Sequence, residues 1–338
     1  MVAGLLGAGK TTLIVEAARR LILRGFRVAV ITNDQGSGLV DTSLMRVARI
    51  PVAEVAGGCF CCRFSDFLEQ ALTLRAGAAD VIFAEPVGSC LDVAATVVRP
   101  LLRDEPHRFR VAPLTVLVDP ARARDLRNFT HDDLAYLFDQ QVAEADVICL
   151  TKADRPSDPI TFDGVAVHRV SARSGEGVDA WLGYVLGGEG TLSGRQLTVD
   201  YRRYAHAEAA LGWLNWHVQI DLPIPLSPAL VVGPFVERVD AALTERGVRL
   251  VHLKVLDQSP AGSVRLSLCA NGEEPIVEGA LDAAPARAHE LLVNARAIGD
   301  PDALSETVAE ALDAIPADVT ILRREAFRPA EPRPERRA

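Results

Sequence analysis

One short segment constrains the fold of this chain more than any other. Residues 4–12 read GLLGAGKTT, a complete match to the pattern G-x-x-x-x-G-K-[ST]. Glycines in such a loop let backbone N–H groups turn toward a chain of phosphates, the lysine reaches the terminal phosphates, and the hydroxyl reaches Mg2+. The helix that follows adds the positive end of its dipole. The residues predicted to bind the phosphates are therefore Gly7, Ala8, Gly9, Lys10, Thr11 and Thr12.

Short apolar runs alternate with helical segments through the first half of the chain. The runs end near residues 32, 55, 85, 119, 150 and 170. This alternation predicts an α/β fold with a doubly wound, mostly parallel sheet that binds ligands at the carboxyl ends of its strands. Only residues 1–3 are available as a strand before the phosphate loop, so we expect the native chain to begin several residues upstream.

Two carboxylates follow strands of this predicted sheet. Asp34 lies in the glycine-rich loop from Asn33 to Asp41, and Glu85 ends an apolar run three residues before Gly88. In a nucleotide switch, acids at such positions approach Mg2+, and we expect the N–H of Gly88 to sense the γ-phosphate. An Asx turn is the alternative interpretation of Asp34. The predicted catalytic and Mg2+-binding group is Lys10 with Thr11, Asp34 and Glu85.

Two further motifs indicate which base is bound. Thr151, Lys152 and Asp154 follow one apolar run, and Ser171 and Ala172 follow the next. A carboxylate at Asp154 can accept hydrogen bonds from both N1 and N2 of guanine, whereas adenine has no such donor pair. The stem of Lys152 can pack on the base, and the backbone of Ser171 and Ala172 can approach the guanine O6. The pair of motifs therefore favours GTP and GDP over ATP.

A cluster of cysteines lies between the two predicted switch loops. Residues 57–62 read GGCFCC, which places the thiols of Cys59, Cys61 and Cys62 within four residues. Three thiols can converge on one soft cation, and the glycine pair permits the sharp turn that this needs. Zinc is the favoured ion, with Co2+, Ni2+ and Cu+ left open. A buried or incidentally oxidised cluster is the alternative, and we interpret Cys90 as a small buried apolar residue rather than a fourth thiol ligand.

The composition excludes several classes of protein. A net charge of −9 over 338 residues argues against nucleic acid as the main partner. No apolar run approaches the roughly 20 residues that span a bilayer, and six cysteines in this arrangement do not form a secreted disulfide framework. We therefore expect a cytoplasmic protein with no membrane partner.

The second half of the chain predicts a smaller domain. We expect a nucleotide-binding domain over residues 1–185, a linker and interdomain helix over 186–212, and an α+β domain over 213–330 with a disordered tail after it, at 331–338. The order of elements approximates a split β-α-β layer with one extra strand. Since no catalytic grouping occurs in this region, we assign it to partner recognition.

These motifs together resemble the CobW-type GTPases of the CobW/HypB/UreG family. The resemblance covers roughly residues 1–173 through GLLGAGKTT, NDQG, GGCFCC, EPVG, TKAD and SAR. The resemblance implies slow GTP hydrolysis and a metal bound to the cysteine cluster. It also implies delivery of that metal to a client protein or cofactor pathway through the C-terminal domain. Some members of the family dimerise, so the resemblance further implies a nucleotide-dependent homodimer. The sequence departs from the family pattern at Thr151, where Asn is usual, and at Asp34, where Glu is usual. It also lacks the histidine-rich stretch of many relatives.

Two other functions stay open at this point. The chain could be a non-catalytic metal-binding or storage protein in which the nucleotide is a structural ligand. It could also be a P-loop kinase of a small molecule, in which the cysteines are incidental.

Overall fold

The computed structural model describes residues 1–36, 40–127, 133–192 and 197–338. These divide into two compact units. Unit 1 comprises residues 1–35, 41–207 and 331–338, and unit 2 comprises residues 36–40 and 208–330. Residues 37–39 of the predicted switch loop and 193–196 of the predicted linker lie outside the described residues, and the predicted domain boundaries stay predictions.

Unit 1 contains parallel strands at the positions that the apolar runs indicated. They are β1 (Val2–Gly4), β2 (Val28–Asn33), β3 (Val52–Val55), β4 (Val81–Glu85), β5 (Thr115–Val118), β6 (Val147–Leu150) and β7 (Ala166–Arg169). Their hydrogen-bonded orders are β3-β2-β4 and β1-β5-β6-β7, and every described pairing among them is parallel. The prediction of a parallel α/β sheet is confirmed. Parallel alignment places the carboxyl ends of neighbouring strands at one edge, where the predicted site residues follow.

The helices of unit 1 connect these strands. They are α1 (Lys10–Leu23), α2 (Val40–Val47), α3 (Phe64–Ala76), α4 (Arg99–Asp104), α5 (Pro120–Arg127), α6 (Asp133–Glu144), α7 (Val178–Gly187) and α8 (Tyr201–Ala209), with a π-helical turn at Ala94–Val98 before α4. In α1 the apolar residues recur at helical spacing, so that Leu13, Ile14 and Ala17 lie on one buried face. That face belongs to the same core cluster as Val30 and Leu117 of the sheet. Packing of α1 on the sheet therefore fixes the direction in which its first turn points.

Unit 2 is an antiparallel sheet with two helices. Its elements are β8 (Leu211–Leu226), α9 (Pro228–Glu245), β9 (Leu250–Ser259), β10 (Gly262–Leu268), β11 (Ile276–Gly279), β12 (Ala286–Ile298), α10 (Pro301–Asp313) and β13 (Asp318–Phe327). The order is β11-β10-β9-β12-β8-β13. The four strands β13-β8-β12-β9 give the predicted split β-α-β layer, and residues of α9 and α10, such as Phe235 and Val308, share one core with its inner face.

The expectation of one extra strand in unit 2 is wrong, because both β10 and β11 extend the layer beside β9. β11 has only four residues, and half of them are exposed. A strand of that length at the edge of a sheet has too few buried side chains to produce a readable alternation. Within the described ranges, none of the helices combines the length and the apolarity needed to cross a bilayer.

Candidate nucleotide and metal site

The phosphate loop joins β1 to α1. Gly7 and Gly9 have φ angles of 82° and 91°, a backbone region that glycine adopts without steric cost, and α1 begins directly after Gly9 at Lys10. The Lys10 ammonium is buried and donates a hydrogen bond to the carbonyl of Gly4, 2.8 Å away, at the start of the same loop. Thr11 and Thr12 occupy the first turn of the helix. The loop thus gathers a lysine, a helix N-terminus and a hydroxyl, as the motif predicted.

Two carboxylates converge on the hydroxyl of Thr11. Its Oγ1 lies 2.7 Å from Asp41 Oδ1 and 2.8 Å from Glu85 Oε1. A hydroxyl has one proton and can donate it to only one of these oxygens at a time. A hydroxyl oxygen and two carboxylates are the kind of hard ligands that Mg2+ takes, so this donor set fits the cation predicted here.

Asp41 contacts Thr11, although the sequence does not single it out as a site residue. The sequence indicates Asp41 only as the end of the switch loop and predicts Asp34 as the acid that approaches Mg2+. The structure places Asp34 one residue after β2, where its backbone N–H lies 3.3 Å from the carbonyl of Val55. Its predicted role toward Mg2+ stays a prediction. One feature of the sequence could have pointed to Asp41. It lies in the first turn of α2, the helix that follows the switch loop, and the helix dipole favours an acid there.

The loop after β4 lies against the phosphate loop at Gly88. A β-carbon at that position would come within 2.8 Å of the side chain of Leu6 and 3.0 Å of its backbone nitrogen. Only glycine permits an approach this close without displacing Leu6. The buried side chain of Gln141 donates to the carbonyls of Gly88 and Cys90, at 2.9 and 3.0 Å. The predicted phosphate-sensing loop is therefore held in contact with the phosphate loop.

The two predicted base-recognition motifs meet at the ends of β6 and β7. Ser171 Oγ donates to Asp154 Oδ1 at 2.6 Å, and this hydrogen bond lowers the pKa of Asp154. Lys152 has a φ of 56° and forms an ion pair with Asp119, with 2.5 Å between Nζ and Oδ2. The carboxylate of Asp154 is therefore kept ionised, which is the form that can accept two hydrogen bonds. Thr151 is buried, and Ala172 follows Ser171 at the end of β7.

The thiols of Cys59, Cys61 and Cys62 do converge. Their sulfur atoms are 2.7, 3.3 and 3.7 Å apart, for the pairs 59–61, 59–62 and 61–62. Among the described residues they form the one group of Cys, His or acidic side chains whose ligand atoms come close enough to share a metal ion. Gly57 and Gly58, with φ angles of 76° and 155°, allow the turn that brings them together.

The protonation of the cluster favours a cation. Hydrogen bonds from Cys61 and Cys62 lower the pKa of Cys59 well below its ordinary value, while hydrogen bonding to Cys59 raises the pKa of Cys61 and raises that of Cys62 to about 11. One thiolate is thus stabilised by its two neighbours, and further deprotonation is opposed by the charge already there. A metal ion removes that opposition, because it binds thiolates and releases their protons.

Asn33, the last residue of β2, holds the cysteine loop in place. Its Nδ2 donates to the carbonyls of Val55 and Gly58, both at 2.8 Å, and its Oδ1 accepts from the N–H of Phe60 at 2.8 Å. Asn33 is also the first residue of the predicted switch loop. One buried side chain therefore joins the start of that loop to the turn that carries the thiols.

The segment 331–338, which the sequence predicts to be a disordered tail, lies against the cysteine loop within unit 1. The N–H of Arg333 donates to Cys62 Sγ at 3.1 Å, and the N–H of Glu335 donates to the carbonyl of Cys61 at 2.9 Å. The Glu335 carboxylate accepts from the N–H and hydroxyl of Ser65, at 2.9 and 2.7 Å. These contacts cover the side of the cluster on which Cys62, its half-buried member, is found.

Comparison with known proteins follows the same motifs. The family model for the nucleotide-binding domain of CobW/HypB/UreG proteins matches residues 1–171. The zinc chaperone CobW of Pseudomonas aeruginosa is 30% identical over 208 residues, which are 51% of this chain and 51% of that protein. The zinc chaperone YjiA of Escherichia coli is 32% identical over 164 residues, 46% of this chain and 48% of that one. The chain thus spans about half the length of the curated relatives it matches.

Among solved structures, HypB from Helicobacter pylori in complex with nickel is 15% identical to this chain. The match covers 59% of this chain and 90% of HypB, with a TM-score of 0.39. The Zn(II)-bound YjiA GTPase from E. coli is also 15% identical, over 93% of this chain and 97% of YjiA, with a TM-score of 0.31.

Proposed function

Because this chain belongs to the CobW/HypB/UreG family of P-loop GTPases, we propose that it is a GTP-dependent metallochaperone. It binds GTP with Mg2+ and hydrolyses it slowly. It carries a zinc-type cation on the cysteine cluster and releases that cation to a client protein or cofactor pathway according to the nucleotide state.

The observation that carries this proposal is the hydrogen bonding of Asn33. Its side chain forms three hydrogen bonds of 2.8 Å, two to the cysteine loop at Gly58 and Phe60 and one to Val55 at the end of β3. Its backbone begins the switch loop that continues to Asp41. A change of that loop between nucleotide states acts on the cysteine turn through the hydrogen-bonded side chain of Asn33. A protein that merely stored metal has no need of this link.

The residues of unit 1 divide the handling of GTP between them. Lys10 and the loop amides hold the phosphates, Gly88 lies against the phosphate loop where the γ-phosphate is sensed, and Asp154 with Ser171 recognises guanine. When bound, Mg2+ neutralises the charge that develops on the phosphate oxygens. Thr11, Asp41 and Glu85 supply the oxygens for it.

The cation is the cargo of the cysteine cluster. Sulfur ligands suit zinc and other soft ions, and sulfur alone does not select among Zn2+, Co2+, Ni2+ and Cu+. Zinc is the proposed cargo because the relatives CobW and YjiA bear the name zinc chaperone. Unit 2, with its antiparallel sheet and two helices, is the proposed region for client recognition, and a nucleotide-dependent homodimer is a further part of the proposal.

The first experiment is an anaerobic zinc titration against a chromophoric chelator, with Mg-GTP and then with Mg-GDP bound. The matched control replaces Cys59, Cys61 and Cys62 by serine. We expect one zinc ion per chain in the native protein, and an affinity that differs about tenfold between the two states, which is about 1.4 kcal/mol of coupling. Loss of zinc binding in the serine variant with unchanged GTP binding would assign the ion to the cluster.

Other outcomes identify the other functions. Equal zinc affinity in both nucleotide states, without turnover of GTP, would indicate a storage protein with a structural nucleotide. A preference for ATP, with transfer of phosphate to an acceptor other than water, would indicate a small-molecule kinase. An ionised Asp154 paired with Ser171 argues against the kinase, because that carboxylate suits the donor pair of guanine.

A further inference from the structure

The segment 331–338 has no regular secondary structure, yet unit 1 fixes it at several points. The N–H of Glu335 donates to the carbonyl of Cys61, and the N–H of Ala338 donates to the carbonyl of Ala95, both at 2.9 Å. Such a segment can detach without breaking a sheet ladder or a helical turn, so it opens at a lower cost in free energy than the strands and helices around it.

One anchor of this segment is a buried carboxylate. Asp92 is 2% exposed, and its Oδ2 accepts hydrogen bonds from Arg337 Nε and from the hydroxyl of Tyr201, both at 2.7 Å. The guanidinium of Arg337 also donates to the carbonyl of Leu197 at 3.0 Å. A buried carboxylate is costly unless a cation pairs with it. Departure of Arg337 would leave that charge unpaired, so the ion pair holds the segment on unit 1.

A second anchor lies at the start of α3. The carboxylate of Glu335 accepts from the N–H and from the hydroxyl of Ser65, at 2.9 and 2.7 Å. Ser65 is in the first turn of α3, where the helix dipole favours a negative charge. Arg336 adds an ion pair with Asp104, and its guanidinium lies 5.2 Å from the ring centre of Phe64. Three consecutive side chains of the segment thus bind three different parts of unit 1.

Ahead of these anchors in the chain, the backbone of the segment contacts the thiol cluster itself. The N–H of Arg333 donates to Cys62 Sγ at 3.1 Å. Pro332 and Pro334 flank Arg333; proline has no N–H of its own and keeps the residue before it extended. Cys62 is the half-buried member of the cluster, and the other two thiols are buried. The segment therefore lies on the thiol that is most open to an incoming cation.

We propose that the segment 331–338 is a strap over the thiol cluster, and that it must lift from its anchors at Asp92 and Ser65 before a cation enters or leaves. The inference rests on the proposed function, because it takes the cluster as the site of the metal. It adds a separate control to that function. The thiols set the affinity for the cation, and the strap sets the rate at which the cation is exchanged.

The test measures how fast zinc leaves the full chain, loaded anaerobically with one Zn2+ and with Mg-GDP bound, after a chromophoric chelator is added in excess. The double variant Glu335→Ala, Arg337→Ala removes both anchors. Arg24→Ala is the matched control, because Arg24 is 47% exposed against 48% for Arg337 and pairs with Asp179 at 2.5 Å, away from the strap.

We expect the double variant to release zinc about tenfold faster or more, since it loses the cation of a buried ion pair together with the second anchor. The equilibrium affinity for zinc should change much less, because an open strap speeds entry and exit alike. Arg24→Ala should release zinc at the native rate. A double variant that releases zinc no faster than Arg24→Ala would overturn the proposal.

A second measurement uses the native protein and covers the case in which the double variant does not fold. Hydrogen exchange of the zinc-loaded chain, followed by mass spectrometry, reports on the amides of Arg333, Glu335 and Ala338. We expect them to exchange more slowly than in an unstructured peptide of the same sequence, and zinc release at saturating chelator to be no faster than the opening of the strap. Exchange as fast as in that peptide, or zinc release faster than the opening, would contradict the proposal.

Failure of this inference can be told apart from failure of the proposed function. If the variant with serine at Cys59, Cys61 and Cys62 loses zinc while the double variant behaves as Arg24→Ala does, only the strap is refuted. If the serine variant still binds zinc as the native protein does, the proposed function fails and this inference with it.

Discussion

Replacement of Asn33 by alanine removes the side chain that joins the switch loop to the cysteine turn. Three hydrogen bonds of 2.8 Å are lost at once, to Val55, Gly58 and Phe60. Each such bond contributes about 1 kcal/mol net, so ordering the turn becomes less favourable by about 3 kcal/mol. If the metal binds only the ordered turn, zinc affinity should fall by up to about a hundredfold, since each 1.4 kcal/mol corresponds to a factor of ten.

The assay is the anaerobic zinc competition with Mg-GTP and with Mg-GDP bound, together with denaturant unfolding of the metal-free chain. For Asn33→Ala we expect weaker zinc binding in both nucleotide states. The difference between the two states should also shrink, because the buried connection between the loops is gone. GTP affinity should change little, since Asn33 is not among the residues placed on phosphate or base.

Asn271 provides a matched control in unit 2. Its Oδ1 accepts from the N–H of Leu250 at 2.7 Å, and its Nδ2 donates to Thr244 and Val248, both at 3.2 Å. Asn271→Ala removes a comparable set of hydrogen bonds from the other unit, so it should lower stability and leave zinc affinity unchanged. Zinc affinity of Asn33→Ala within twofold of the native value, in both nucleotide states, would refute the reasoning.

Three other predictions use different parts of unit 1. Asp154→Asn replaces a hydrogen-bond acceptor by a donor, so the affinity for GTP should fall at least tenfold. The affinity for xanthosine triphosphate should rise, because its base has a carbonyl at position 2. Competition with a fluorescent nucleotide measures both affinities. Burial raises the pKa of Glu144 to about 8. The folded chain therefore keeps a proton that the unfolded chain releases near the ordinary pKa of glutamate. The free energy of unfolding should consequently fall as the pH rises from that ordinary pKa to about 8. Glu144→Gln should flatten that dependence in denaturant unfolding, and an unchanged slope would contradict the assignment. Glu335→Ala should speed the alkylation of Cys62 in the metal-free chain, because it loosens the 331–338 segment. The control is Glu331→Ala, which removes an exposed carboxylate that forms an ion pair with Arg333 at 3.5 Å and should not speed the alkylation.

Much of unit 1 could be predicted because its signals are local. A β-branched run such as residues 28–32 forms a buried strand wherever it occurs in an alternating α/β pattern, and a GKT segment after glycines turns the same way in any phosphate loop. Asp154 and Ser171 could be paired in advance for a related reason: parallel strands bring their carboxyl ends to one edge, and each residue follows such an end. Neither conclusion required knowledge of side-chain packing.

The acids around Thr11 show where local reasoning stopped. Asp34 and Asp41 lie in one loop and are equally acidic in the sequence, and nothing in their spacing says which one reaches Thr11. The structure places Asp41 there, because α2 begins at Val40 and presents its first turn to the phosphate loop. The choice depends on how a helix packs, which is a property of the folded chain.

The sequence by itself determined the chemical groups that this protein carries: a phosphate loop, a carboxylate suited to guanine and a turn of thiols, each encoded within a few neighbouring residues. Only the tertiary structure decided how these parts meet. Asn33 contacts the thiol turn, Asp41 reaches Thr11, and Arg333 reaches Cys62 across 271 positions of the chain. Such contacts join residues that are distant in sequence, and their formation depends on the packing of whole strands and helices, which no short motif specifies.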